Sequence, residues 1–142
     1  MEGEVAKMMK IPLEILTLED NSYHLLIDVL INDEIHGKMV VDTGASRTVI
    51  DATLAFAIDE LKETPYTSGI GGQVDVTFTT LNSLALGNFL IEGVSLAMID
   101  LSTVNEAYKQ VSIEPIIGLL GSDLLLKYQA KIDYKEASLY LE

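Results

Sequence analysis

The chain contains no cysteine, which removes disulfide frameworks, thiolate nucleophiles and cysteine-containing zinc sites. Basic residues are scarce: 9 Lys and Arg stand against 22 Asp and Glu, a formal charge of -13. Such a chain repels a phosphate backbone and has no basic stripe to follow one, so nucleic acid is not an expected partner. Long apolar runs are missing as well. Residues 25–31 and 84–86 are too short or too broken by charge to cross a bilayer. Residues 1–10, which include Glu2, Glu4, Lys7 and Lys10, lack the apolar stretch of a secretory signal. The expectation is a soluble protein with no membrane partner, cytoplasmic where Met1 is the natural start. The two histidines, His24 and His36, are separated by a strand and a turn with no third-ligand pattern, so they read as ordinary surface or turn residues and no metal is expected.

What is present is apolar sequence in quantity. Nearly half of the 142 residues are hydrophobic and mean hydropathy is positive, enough for a core of its own and too much for a disordered segment. A 15.5 kDa chain fits one domain, taken here as residues 1–142. Alternation dominates: Leu25, Ile27, Val29 and Ile31 fall on one period-2 face, and Val74, Val76 and Phe78 on another. Further strands are expected at residues 13–18, 38–41, 81–86, 89–99, 130–134 and 138–141, with a longer turn over 32–37 and a tight one at Gly87-Asn88. Helical signals are short: residues 51–61 behind an Asp51 cap, residues 102–110, and a segment starting at Ser122 or Asp123 and carrying Leu124 to Tyr128. The pattern is all-β with small helical additions.

Chemistry concentrates in residues 38–51, KMVVDTGASRTVID. An apolar strand ends in Asp42-Thr43-Gly44, and a second apolar step follows at Val49-Ile50. Asp commonly opens a polar turn, and an Asp-Thr-Gly triplet arises by chance in on the order of a few per cent of chains this long. A carboxylate set directly after a buried strand is nonetheless a candidate for chemistry.

The flanks add weight, because the stretch resembles the active-site loop of the retropepsin-like aspartic peptidases, the family that includes the retroviral proteases. Thr48-Val49-Ile50 falls where that family has its Thr-Val-aliphatic continuation, leading into Asp51. Ser46 and Arg47 depart from it, since retroviral members usually carry acidic residues there. A second resemblance is Ser68-Gly69-Ile70-Gly71-Gly72 before the alternating residues 73–80, similar to the glycine-rich tip of the retroviral flap hairpin. Glycine suits a hairpin that opens over a substrate and presents backbone N–H groups to it. No Lys-Ser/Thr follows, and the next segment is a strand, against a phosphate loop. The third is IIGLLGSDLL at residues 116–125. Either Ile116-Ile117-Gly118 or Leu119-Leu120-Gly121 matches the family's aliphatic pair and glycine before a short helix, and the polar pair and double leucine after Gly121 favour the latter; the resemblance implies that this segment supports the catalytic loop from behind, while by itself it reads equally as an apolar strand feeding a capped helix.

The resemblance implies a retropepsin-like closed β-barrel, the acid protease fold, with one or two short helices and one lobe per chain. It implies an aspartic endopeptidase without cofactor or metal. Of the ten glycines only Gly44 follows Asp-Thr or Asp-Ser, so the second carboxylate such chemistry needs comes from a homodimer with the two Asp42 side chains meeting across a two-fold axis. By the same resemblance Asp42, Thr43 and Gly44 are the catalytic residues, Thr43 holding the dyad in plane across the axis. Ala45, Ser46, Gly69, Ile70, Gly71 and Gly72 bind a peptide or protein substrate. The alternative is a catalytically silent relative that binds peptides or only dimerises.

Overall fold

The computed structural model describes residues 8–57, 66–68, 74–111 and 113–142. Chain order is β1 (Met9–Pro12), β2 (Glu14–Glu19), β3 (Ser22–Ile31), β4 (Ile35–Val41), β5 (Val49–Asp51), a 3-10 turn (Ala52–Ala57), β6 (Tyr66–Ser68), β7 (Val74–Leu86), β8 (Phe89–Ile99), α1 (Ser102–Gln110), β9 (Gly118–Leu120), α2 (Ser122–Lys127), β10 (Lys131–Asp133) and β11 (Ser138–Leu141). The all-β reading holds, with α1 on the expected residues. The helix expected over 51–61 is instead the end of β5 followed by the 3-10 turn, and residues 58–61 lie outside the described ones. The two strands expected at 74–78 and 81–86 are one continuous β7.

A clean closed barrel is replaced by two sheets. One has the order β1-β11-β10, and the other runs β2-β3-β4-β9-β5-β8-β7-β6 with a further β3–β7 pairing. That pairing joins Val29–Ile31 to Leu84–Leu86 and closes a six-strand ring through only a short contact at strand ends. Right-handed twist carries two long strands across each other there without a full ladder.

Side-chain alternation on β3 buries Leu25, Ile27, Val29 and Ile31 against Met39, Ile50, Leu84, Leu96 and Leu120. The opposite face of β3 is covered too. Leu26 packs with Val40, Leu101, Tyr108 and Ile116, a second small cluster beneath α1 and the segment that follows it. Asn105 holds that segment to the helix: its side chain donates to the Ile116 carbonyl at 3.0 Å and accepts the Ile116 N–H at 2.8 Å. His24, read from sequence as a surface or turn residue, sits half-buried on β3 with Nδ1 2.6 Å from the Tyr108 hydroxyl. Burial pushes the Tyr108 hydroxyl pKa up.

Turn geometry follows residue chemistry. The connection expected over 32–37 is shorter, because Asn32 and Asp33 take φ of 52° and 60°, a left-handed conformation their short polar side chains tolerate. The chain therefore re-enters the sheet at Ile35, and Gly37 lies inside β4, where a Cβ would sit 2.5 Å from the Ile117 side chain. Gly87 supplies the positive φ, 57°, of the two-residue β7–β8 turn. At the small sheet, Tyr140 donates to Glu136 and Lys10 pairs with it at 3.4 Å, and the two hold the Glu136 carboxyl below its usual range.

The centre of the larger sheet is β9, parallel to β4 and antiparallel to β5. A Cβ on Gly118 would lie 2.4 Å from the Val49 carbonyl oxygen and 2.8 Å from the Met39 methyl. Backbone cannot yield as a flexible side chain can, so Gly118→Ala is expected to lower stability by about 1–3 kcal/mol. A lower denaturation midpoint at unchanged slope is the expected reading; an unchanged midpoint would show that the strand shifts freely.

Candidate active site

Residues 42–48 connect β4 to β5, two strands on either side of β9, so the loop passes over the C-terminal end of β9. The Asp42 N–H donates to the Leu120 carbonyl at 2.9 Å, extending the β4–β9 ladder by one bond. Asp42 is therefore the last residue fixed by the sheet. Its side chain is half-buried, and its Oδ1 accepts the Gly44 N–H at 2.9 Å while the Ala45 N–H reaches the Asp42 carbonyl at 3.1 Å. The loop turns back on its own carboxylate. Thr43 and Gly44 are exposed at the turn, Ala45 is half-buried, and Ser46 and Arg47 are exposed.

What supports the loop lies some 75 residues on. Asp123 Oδ1 accepts the Thr48 N–H at 2.8 Å and the Thr48 hydroxyl at 2.7 Å, and that hydroxyl in turn accepts the Gly121 N–H at 2.9 Å. Thr48 is fully buried, so these bonds replace water completely and leave its hydroxyl satisfied as donor and acceptor. Ser122 binds the Ala45 carbonyl through its N–H at 2.8 Å and its hydroxyl at 3.0 Å. Gly121 is the place where backbone meets backbone: a Cβ there would fall 2.6 Å from the Arg47 carbonyl and 2.8 Å from the Ala45 oxygen. Of the two glycines weighed from sequence, Gly121 lies under the loop and Gly118 lies within β9.

Asp51 ends the unit. It is buried, and its Oδ1 accepts N–H groups of Thr53 and Leu101, each at 3.2 Å, capping the 3-10 turn and anchoring the chain before α1. The Arg47 guanidinium lies 5.2 Å from the centre of the Phe78 ring on β7, within cation–π range. It thereby links the loop to the strand that leads from the hairpin.

Of the expected site residues, Asp42, Thr43, Gly44, Ala45 and Ser46 share this loop. Gly69, Ile70, Gly71 and Gly72 lie outside the described residues. Their flanks pair as an antiparallel hairpin stem, Ser68 opposite Val74 and Tyr66 opposite Val76. The segment from Gly121 to Leu125 was expected to support the loop, and it does; the pairing of Thr48 with Asp123 within it was not singled out. A buried hydroxyl residue just before an apolar strand and a carboxylate just inside a helix were the available signals, and only folding brings them together.

An Asp-Thr-Gly turn seated on a glycine-led helix start, in an all-β lobe, defines a class of acid protease architecture. The chain belongs to the aspartyl protease family, whose model matches residues 27–124, from β3 into α2. It is similar in fold to a retropepsin-like aspartic protease from Rickettsia conorii, at 22% identity and TM-score 0.57 with 96% of each chain covered. It is also similar to the retroviral protease-like domain of Ddi1 from Leishmania major, at 18% identity and TM-score 0.57, covering 84% of this chain and 88% of that one. EIAV protease, solved with an inhibitor, aligns at 21% identity and TM-score 0.50 over 76% of this chain and 90% of its own. No curated protein matches the chain. No helix among the described residues is long and apolar enough to cross a membrane.

Replacing Thr48 by Val keeps the shape and removes the hydroxyl, leaving the buried Gly121 N–H without an acceptor and Asp123 with one donor fewer. The expected cost is about 1–3 kcal/mol of stability, measured by urea unfolding, with Thr48→Ser close to wild type. Equal stability of all three proteins would remove the hydroxyl from the loop's support.

Proposed function

We propose that the chain is an aspartic endopeptidase that acts as a homodimer, each copy contributing one lobe, a single domain over residues 1–142, and one Asp42. The observation that carries this reading is the setting of Asp42: a half-buried carboxylate held at the end of β4 by Leu120 and Gly44, in a chain of the aspartyl protease family. One such group is insufficient for amide hydrolysis. A base must take a proton from water while an acid protonates the carbonyl oxygen and later the leaving nitrogen. Two copies related by a two-fold axis supply both from the same residue.

In the dimer, one Asp42 is ionised and removes a proton from a water held between the pair. The other is protonated and donates to the carbonyl oxygen as the water oxygen bonds to the carbonyl carbon. Collapse of the tetrahedral species expels the nitrogen with a proton returned from the dyad, leaving the carboxyl and amine products and the original single proton. Two carboxylates about 3 Å apart cannot both ionise, as is general for aspartic protease dyads. Thr43, exposed beside Asp42, reaches across the axis to hold the pair in plane. Gly44 lets an extended substrate backbone approach, Ala45 and Ser46 contact it, and Gly69, Ile70, Gly71 and Gly72 close over it. No metal or cofactor takes part.

Asp42→Asn keeps the turn's acceptor toward Gly44 but removes the proton-transfer group. Cleavage of a diverse peptide library is expected to fall by at least about a hundredfold, a general acid–base contribution, with folding unchanged. Equal cleavage by both proteins would end the peptidase reading, and cleavage by neither would favour a silent peptide-binding relative. Because the active dyad carries one proton, the rate is expected to be higher at mildly acidic than at neutral pH and to fall further toward alkaline pH. A rate that stays flat or rises toward pH 9 would be incompatible with a shared proton.

A further inference from the structure

Side chains alternate along β4, so Lys38 and Val40 point to the face that Asp42 continues. Cross-strand register sets Leu26 and Glu14 in line with Val40, and Asp28 opposite Lys38. This face carries an open groove of about 970 Å3, floored by Leu16, Leu26 and Ile116 and walled by residues 113–117. The wall is fixed in place. The Ile113 N–H donates to the Tyr108 carbonyl and the Ile117 N–H to the Lys38 carbonyl, both at 2.9 Å, and the Asn105 side chain holds Ile116 between them. Charge collects at the rim, where Glu14, Asp28 and Glu114 surround the Lys38 ammonium, which donates to Glu14 and lies 4.0 Å from Asp28. The hydrogen bond to Glu14, with the charges of Glu14, Asp28 and Glu114 around it, raises the Lys38 pKa above its usual value. The groove thus already stabilises one cation, and three carboxylates against one ammonium leave negative charge over among the described residues that line it.

We infer that this groove docks a lysine- or arginine-bearing segment of an extended peptide substrate, its aliphatic stems lying on Leu16 and Ile113 and its cationic heads meeting Asp28 and Glu114. The inference rests on the peptidase reading for the segment's role and deepens it by naming a substrate class; docking itself does not require cleavage. Long basic side chains suit the place because they join an apolar stem to a charged tip, and the groove offers an apolar floor beneath a carboxylate rim. Its wall is formed before a ligand arrives, which lowers the ordering cost of binding. Lys38 lies four residues before Asp42, about 13 Å along an extended strand. Roughly four substrate residues therefore span the distance from the reacting carbonyl to the docked segment. The chain's charge of -13 draws basic peptides toward the whole surface, and the groove gives that attraction a fixed position on the Asp42 face.

The test uses fluorescein-labelled peptides that share a short apolar centre and carry a lysine triplet or a glutamate triplet on either flank. Fluorescence anisotropy reads their binding to the full chain carrying Asp42→Asn, which prevents cleavage, and to the same protein with Asp28→Asn and Glu114→Gln added, or with Glu92→Gln added instead. Asp28, Glu92 and Glu114 are exposed, so the variants are expected to fold, which circular dichroism checks. A lysine peptide is expected to bind, to lose about fivefold in affinity with the Asp28→Asn and Glu114→Gln pair, and to stay within about twofold for Glu92→Gln, which lies outside the groove. With Asp42 intact, the groove pair is expected to raise KM for the lysine peptide and leave kcat unchanged. Four results overturn the docking site: no lysine peptide binds, the glutamate peptide binds as tightly, the groove pair leaves affinity unchanged, or Glu92→Gln weakens binding as much as the groove pair does. Groove-dependent binding without cleavage by the wild type removes the peptidase and keeps the site. Cleavage of the lysine peptide with a KM indifferent to the groove pair removes the site and keeps the peptidase.

Discussion

The Thr48 hydroxyl, placed between the Gly121 N–H and the Asp123 carboxylate, is the interaction on which the candidate site depends. It is fully buried, so water cannot substitute for either partner, and a buried donor or acceptor left alone costs more than the bond itself contributes. The two bonds tie the end of the loop that begins at Asp42 to the start of α2. Because Ser122 also grips the Ala45 carbonyl, the loop is fastened at its middle and at its end, and the sheet holds its beginning through Leu120. Between these fastenings Thr43, Gly44, Ser46 and Arg47 are left exposed.

This arrangement requires backbones to come unusually close. Gly118 lets β9 fit between β4 and β5 against the Val49 carbonyl, and Gly121 lets the helix start lie under the carbonyls of Ala45 and Arg47. Neither glycine adopts a positive φ among the described residues, so their value lies in the missing side chain and not in conformational freedom. The sheet interior then seals the floor with Met39, Ile50 and Leu120, and among the described residues no buried side-chain nitrogen or oxygen lacks a hydrogen-bond partner.

Much of the architecture could be read from alternation. Strand β8 fell on residues 89–99, α1 on 102–110 and β11 on 138–141, because each combines a clear period with turn residues at its borders. The short strands β1, β5 and β6 were not read as strands, since three or four residues give too little period and their strand character comes from neighbours distant in sequence; β9 was legible only as one of two readings of its apolar segment. The 3-10 turn after Asp51 replaced a helix because the Asp51 carboxylate divides its bonds between Thr53 and Leu101, a tertiary demand no local pattern reveals. The site loop was legible as a motif at residues 42–44, and the segment from Gly121 to Leu125 was legible through its resemblance as the loop's support, whereas the pairing of Thr48 with Asp123 was not, because nothing local joins positions 75 residues apart.

That separation orders events along the chain. The Asp42 turn lies early in the chain, but β9 and the α2 start, on which it rests, come only nearly eighty residues later. Contacts this distant form late, since the intervening chain must be drawn together before they repay its lost freedom. The Asp-Thr-Gly turn thus lacks the partners that shape it until the C-terminal third of the chain is in place, so the loop and its support are completed together.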